Sequence, residues 1–227
     1  MLRVPEPIES PYIATWSTAA KSLPPSIRVA GKRGGGFAVL VLASFFSTAA
    51  MAHDGTGLAG GFMSGFLHPL SGLDHALAMV AVGLWGAILR RPLIIALPTI
   101  FPVMMTVGAA TAMAGLPAPP VELGIALSVL TLGLLILFAV RAPVVIACAI
   151  VAAFAYFHGF AHGTELPSAA DPVGYSTGFV LSTGLLHVTG ITLGMLKSLP
   201  AGAVALRGAG CAMAVVGLWF VAGALGS

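Results

Sequence analysis

Long apolar stretches separated by short breaks run through most of this sequence and restrict the folds open to it. We distinguish six of them, divided by a few proline, glycine or charged residues. They cover residues 57–89, 92–115, 120–140, 143–164, 174–196 and 201–226. A helix of roughly 20 apolar residues crosses the hydrocarbon core of a bilayer. The sequence therefore predicts an all-α membrane protein with six transmembrane helices.

The composition agrees with lipid as the main solvent. Charged residues make up 7% of the chain and the mean hydropathy is +1.03, whereas an average soluble domain carries roughly 25% charged residues. The formal net charge is +3, but the Lys and Arg residues are scattered and form no basic stripe. We therefore expect the lipid bilayer as a partner and exclude nucleic acid.

The N-terminal region has the pattern of a secretory signal peptide. Two basic residues precede an apolar run at 37–46, and a small-residue cleavage site ends at Ala52. About ten apolar residues are too few for an uncleaved anchor helix, since the membrane core is roughly 30 Å thick. We expect cleavage after Ala52. The predicted divisions are a disordered N-terminal extension at 1–31, a signal peptide at 32–52 and a six-helix transmembrane domain at 53–227.

The basic residues beyond the signal peptide predict an orientation. We place all of them in the connections that follow odd-numbered stretches: Arg90, Arg91, Arg141, Lys197 and Arg207. By the positive-inside rule, these connections are cytoplasmic. The N-terminus left by cleavage then faces outward, as secretion through a cleaved signal also requires. We expect a multi-pass protein of the bacterial inner membrane with a periplasmic mature N-terminus.

The first apolar stretch is too long for a single helix. Its 33 residues would reach about 50 Å at 1.5 Å per residue. Pro69 lacks a backbone donor and Gly72 adds backbone freedom, so we expect the helix to break near residues 68–73. Broken helices at membrane depth are tolerated where the freed backbone groups face protein, water or an ion.

A polar group coincides with the expected break. It consists of His68, Asp74 and His75, in a region where an unpaired charge costs at least about 2.5 to 3.5 kcal/mol. In a structural interpretation, Asp74 is the N-cap of the second half-helix and the histidines bond to the backbone. Three potential ligands in one segment favour metal or proton handling instead. Asp74 could serve both purposes.

A second polar group lies at the outer end of the fourth stretch. His158 and His162 are four residues apart and Glu165 follows three residues later, so all three share one helical face. No glutamate lies between the histidines, which excludes the HExxH pattern of metalloproteases. Imidazole and carboxylate ligands suit divalent Ni, Zn, Co or Fe. The spacing predicts a metal-binding face.

Two further histidines are weaker candidates for metal ligands. His187 lies near the middle of the fifth stretch and could either bond to Ser or Thr of a neighbouring helix or act as a ligand. His53 would become the first residue after cleavage. Its free amine and imidazole could then chelate a cation, or it could be an ordinary exposed terminal residue.

These motifs resemble the HupE/UreJ family of bacterial nickel permeases associated with hydrogenase and urease maturation. The resemblance covers about residues 53–226 and is carried by His68-x5-Asp74-His75 and by the segment from Phe157 to Glu165. It implies a non-enzymatic secondary transporter of Ni2+, or of Co2+, and hydrogenase or urease maturation proteins as partners. The metal path that it implies consists of His68, Asp74, His75, His158, His162 and Glu165.

A different class of function would use nearly the same ligands. In an intramembrane zinc-dependent hydrolase, His and Asp hold Zn2+ with one open water position, and Ser64, Ser71 or Ser182 assists. Such a hydrolase needs three close ligands, whereas a permease needs ligands distributed along the membrane normal. A metal-sensing or accessory membrane subunit is a third alternative.

Overall fold

The computed structural model describes residues 61–165 and 171–226, and within these ranges every regular element is a helix. The helices are α1 (Phe62–Ser71), α2 (Leu73–Leu89), α3 (Leu93–Met113), α4 (Val121–Leu137), α5 (Val144–Glu165), α6 (Pro172–Met195), a 3-10 helix (Leu196–Ser198) and α7 (Gly202–Gly226). The predicted extension, signal peptide and His53 lie outside the described residues. The side chain of Glu165 lies outside them as well.

Several of these helices are suited to crossing a membrane. Helices α3, α5, α6 and α7 are long and apolar enough, and the bent pair α1–α2 would count as a fifth span. Helix α4 is apolar but shorter, at 17 residues, or about 25 Å. Over residues 61–165 and 171–226, the structure confirms the all-helical fold, and its apolar helices indicate a multi-pass membrane protein. A complete set of six spans stays a prediction.

The outer surface is far more apolar than that of a soluble protein, although the core is apolar as well. Valines on three different helices are largely exposed, with Val145 at 76%, Val173 at 78% and Val204 at 75%. The buried side chains include polar ones, among them His158 and His187. Soluble proteins bury valine and expose most polar side chains. Lipid is therefore the expected surroundings of the outer surface.

The first span breaks at Gly72, where the backbone is extended and α1 meets α2 at 84°. This confirms the break expected at residues 68–73, although Pro69 itself stays inside α1. The N-cap of α2 is Gly72, so the interpretation of Asp74 as an N-cap is wrong. Asp74 lies in the first turn of α2 instead, where its carboxylate accepts the backbone N–H of His75 at 2.9 Å.

Glycines allow α6 to pack directly on the backbones of α1 and α2. A Cβ atom added at Gly178 would lie 2.0 Å from the carbonyl oxygen of Phe62, and one added at Gly190 would lie 2.0 Å from that of Val80. Small residues of this kind are typical of helix interfaces in membranes. They bring the interior face of α6 beside the break.

We expect Gly190→Ala to destabilise the fold, because the new methyl group would overlap a backbone carbonyl that cannot move without separating α2 from α6. Overpacking of this kind typically costs about 1–3 kcal/mol. Thermal unfolding in detergent would measure the effect. Gly184→Ala on the same helix is the matched control, since nothing lies within 4 Å of its added Cβ. Equal melting temperatures for the two variants would contradict this packing.

The connections that follow α2, α4 and α6 lie at one end of the bundle. Lys197, just after α6, donates from Nζ to the carbonyl oxygen of Ala87 near the end of α2. The indole of Trp85 donates to Val140, in the connection after α4, at 3.1 Å. This agrees with the prediction that the connections carrying the basic residues lie on the same side of the membrane. Arg207 departs from it, since it lies inside α7 rather than in a connection.

Candidate metal centre

Four histidines from three helices meet at the break in the first span. The ring centroid of His75 lies 4.9 Å from that of His158 and 4.7 Å from that of His162, both on α5. His68 of α1 lies 4.9 Å from His162 and 6.3 Å from His75. We call these residues the four-histidine cluster. The structure thus brings together two motifs that are far apart in the sequence.

The cluster is shielded more completely on the α5 side than on the α2 side. His158 is fully buried and His162 is 4% exposed. The side chains of His75 and Asp74 are 14% and 28% exposed. The cluster is therefore more open on the sides of α1 and α2, where His68 is also only partly buried, than on the side of α5.

The ring of His75 is fixed by the carboxylate next to it in the sequence. Its Nδ1 lies 2.9 Å from Oδ1 of Asp74, and a carboxylate accepts hydrogen bonds, so Nδ1 carries the proton. The other nitrogen, Nε2, is buried without a hydrogen-bond partner. Histidines that bind metals usually donate their second ring N–H in this way. His75 is therefore oriented as a ligand through Nε2.

His158 has the same kind of arrangement with a serine. Ser128 of α4 donates its only hydroxyl proton to the carbonyl of Ile125 at 2.6 Å. Its oxygen therefore accepts from Nε2 of His158 at 3.1 Å, which leaves Nδ1 of His158 buried without a partner. Ser128 was not among the predicted site residues. The signal available in the sequence was a serine inside an apolar stretch.

A surface pocket of about 390 Å3 opens beside the cluster. Asp74 and Glu122 line it together with residues from the end of α7, and Glu122 lies in the first turn of α4. Glu122 was not predicted as a site residue either. The signal was a carboxylate at the start of an apolar stretch, in a chain with only seven Asp and Glu residues. The pocket therefore brings a second carboxylate, that of Glu122, to the approach to Asp74.

His187 lies apart from the cluster. Its Nδ1 is 2.8 Å from the carbonyl oxygen of Met79 on α2, so the expected interhelical hydrogen bond exists, but to the backbone rather than to Ser or Thr. The ring of Phe101 contacts both His158 and His187, at 5.6 Å and 5.3 Å between centroids.

The histidine rings lie close together, but their nitrogen atoms do not point at one common position. Within residues 61–165 and 171–226, no three His, Cys, Asp or Glu side chains form a group that is set to hold a metal ion. The rings of His75 and His158 are perpendicular, and those of His68 and His162 cross at 79°. Coordination requires lone pairs that meet about 2.0–2.1 Å from the ion. The rings would have to rotate to bind an ion together.

Ser71, one of the serines that could assist a hydrolase, already donates a hydrogen bond to the backbone. The hydroxyl of Ser71 donates to the carbonyl oxygen of His68 at 2.7 Å, and the residue is exposed at the end of α1. Its proton therefore takes part in a local helix contact rather than in the cluster.

Comparisons with known proteins agree with the motifs. The family model described as HupE / UreJ protein matches residues 40–220. Protein HupE of Rhizobium leguminosarum bv. viciae is 43% identical over 174 residues, which cover 76% of this chain and 91% of that protein. No solved structure matches the chain. The matched region contains every helix that contributes to the cluster, and the chain belongs to the HupE/UreJ family of hydrogenase and urease accessory membrane proteins, a family connected with nickel and cobalt transport.

Proposed function

We propose that this chain is a permease that moves Ni2+, with Co2+ as the alternative cargo, across the bacterial inner membrane into the cytoplasm. There the metal supplies the maturation of a hydrogenase or a urease. The observation that carries the proposal is the four-histidine cluster, which lies with Asp74 at a break in a membrane helix. Family membership supports the class of metal.

The ligand set suits a borderline divalent cation. Imidazole binds Ni2+, Co2+ and Zn2+ well, whereas Mg2+ and Ca2+ prefer oxygen ligands. The imidazoles would replace part of the hydration shell, and the carboxylates of Asp74 and Glu165 would offset the charge. A permeating ion must also leave, so its binding has to stay weak. Rings that converge only on rotation fit such a transient site.

The membrane potential is sufficient to drive inward movement. The sequence contains no GxxxxGK[ST] motif for nucleotide binding. A doubly charged ion gains about 4.6 kcal/mol on crossing a potential of 100 mV, at about 2.3 kcal/mol per elementary charge. In the proposed route, the ion enters through the pocket beside Asp74 and Glu122 and then meets the cluster. His53 stays a predicted ligand at the entrance.

Metal flux into proteoliposomes would test the proposal. The purified chain would be reconstituted with a metal-sensitive dye inside the vesicles and an inside-negative potassium diffusion potential. We expect Ni2+ and Co2+ influx that rises with the potential and is absent from protein-free vesicles. Parallel measurements with Zn2+ would show which of the three ions enters fastest. Absence of influx for all three ions, with the chain shown to be inserted, would contradict the proposal.

A further inference from the structure

On α6, the hydroxyl groups that face lipid differ from those that face the protein interior. Thr177, Thr189 and Thr192 are exposed, and each donates to the carbonyl four residues earlier at 2.7–2.9 Å. Ser182 and Thr183 are 1% exposed, and their hydroxyl oxygens have no hydrogen-bond partner. The same local bond is the usual solution for such residues in helices. Leaving two buried hydroxyls without it is costly, and their oxygens are free to bind another group.

His187 adds a third such atom on the same helix. It follows Thr183 by four residues, so the two side chains share one face. Because Nδ1 donates to the carbonyl of Met79 at 2.8 Å, the lone pair lies on Nε2, which is buried without a partner. A Cβ added at Gly83 would lie 2.1 Å from the carbonyl oxygen of His187. Direct backbone contact between α2 and α6 therefore fixes the imidazole.

These three buried atoms lie farther along α6 than Phe179, a residue of this helix that contacts the cluster. Phe179 of α6 contacts His162 at 4.6 Å between ring centroids. Ser182 follows Phe179 by three residues, or about 4.5 Å along the helix. His187 lies deeper still, in the direction of Lys197 and the end of the bundle where the basic connections meet. Phe101 separates it from His158.

We propose that Thr183 and His187 form a second, deeper station for the divalent cation. This rests on the proposed permease function. The ion would bind Nε2 of His187 and the hydroxyl oxygen of Thr183 while it retains some of its water. Neither side chain brings a negative charge, so an ion here is held less firmly than beside Asp74. The station therefore governs how fast the ion passes, while the four-histidine cluster governs the concentration at which transport saturates.

The variant His187→Asn separates a ligand role from a packing role. The asparagine amide can keep the donation to the carbonyl of Met79, but it has no counterpart of Nε2. Thr183→Val removes the interior hydroxyl with almost no change of shape, and Thr189→Val makes the same change on the lipid face. We expect maximal Ni2+ influx to fall about tenfold or more in His187→Asn. It should also fall in Thr183→Val, while Thr189→Val and all half-saturating concentrations stay as in the wild type.

Other results would overturn the second station. If His187→Asn and Thr183→Val both transport Ni2+ as fast as Thr189→Val, His187 only joins α2 to α6. A lower rate accompanied by a raised half-saturating concentration would assign the effect to the four-histidine cluster. Absence of influx in the wild type would overturn the permease function together with the station. The nearly isosteric Thr183→Val keeps the test valid if His187→Asn fails to fold.

Discussion

His75→Ala should abolish metal accumulation by this chain. His75 is the centre of the four-histidine cluster, since its ring contacts those of His68, His158 and His162. The substitution removes the buried Nε2 and also deprives Asp74 of the ring N–H that it accepts, while the backbone N–H remains. Loss of an orienting partner alone typically lowers metal affinity about 10- to 100-fold, and the loss of a ligand adds to it. Initial rates of Ni2+ influx into proteoliposomes would measure the result.

His75→Asn is the informative companion variant. Its amide can still donate to the carboxylate of Asp74, but it offers no nitrogen lone pair to the cluster. We expect it to be as inactive as His75→Ala, with insertion and melting temperature close to those of the wild type. Normal influx in His75→Asn would mean that His75 only positions Asp74, which would refute its role as a ligand.

Asp74→Asn is expected to stop Ni2+ influx while the helix break remains. Asparagine keeps an oxygen that can accept the ring and backbone N–H groups of His75, but it removes the negative charge. Counting only one of the two charges of the ion, an ion 4 Å from the carboxylate interacts with it by about 4 kcal/mol at an effective dielectric constant of 20. Losing that attraction lowers affinity by a factor on the order of a thousand, at about 1.4 kcal/mol per tenfold. Influx measured at low micromolar Ni2+ would show the loss most clearly.

Asp171→Asn is the matched control for Asp74→Asn. Asp171 is the N-cap of α6 and accepts the backbone N–H of Gly174 at 2.9 Å. Asparagine caps helices as well as aspartate does, so the fold should keep its stability and the influx its rate. If both variants lost influx equally, the overall negative charge of this end of the bundle would matter, and not the position of Asp74 within the cluster.

The helix break could be predicted because its causes are local. A single helix across residues 57–89 would be too long for the membrane, and proline and glycine occur together near its middle. The exact residue at which the helix breaks could not be predicted from the sequence. The chain turns at Gly72, while Pro69 remains in α1. Because α2 consequently begins at Leu73, Asp74 falls inside the first turn and cannot be the N-cap.

The membership of the cluster could be predicted in part, but its contacts could not. Spacing places His158 and His162 on one face of a helix, yet nothing in an apolar helix says which neighbour that face meets. Ser128 lies 30 residues from His158, and Met79 lies 108 residues from His187. Such contacts depend on which glycines allow two backbones to approach. The tautomers of His158 and His187, and hence their available nitrogens, follow from these distant partners.

The bend at Gly72 also changes the electric field around the cluster. It brings the carboxyl end of α1 and the amino end of α2 together, and helix dipoles give these ends charges of about −0.5 and +0.5. Asp74, in the first turn of α2, offsets the positive end. His68 lies in the last turn of α1, at the negative end. A straight helix would place neither end beside the cluster, so the negative end of α1 can attract a cation here because the charge of Asp74 offsets the positive end of α2.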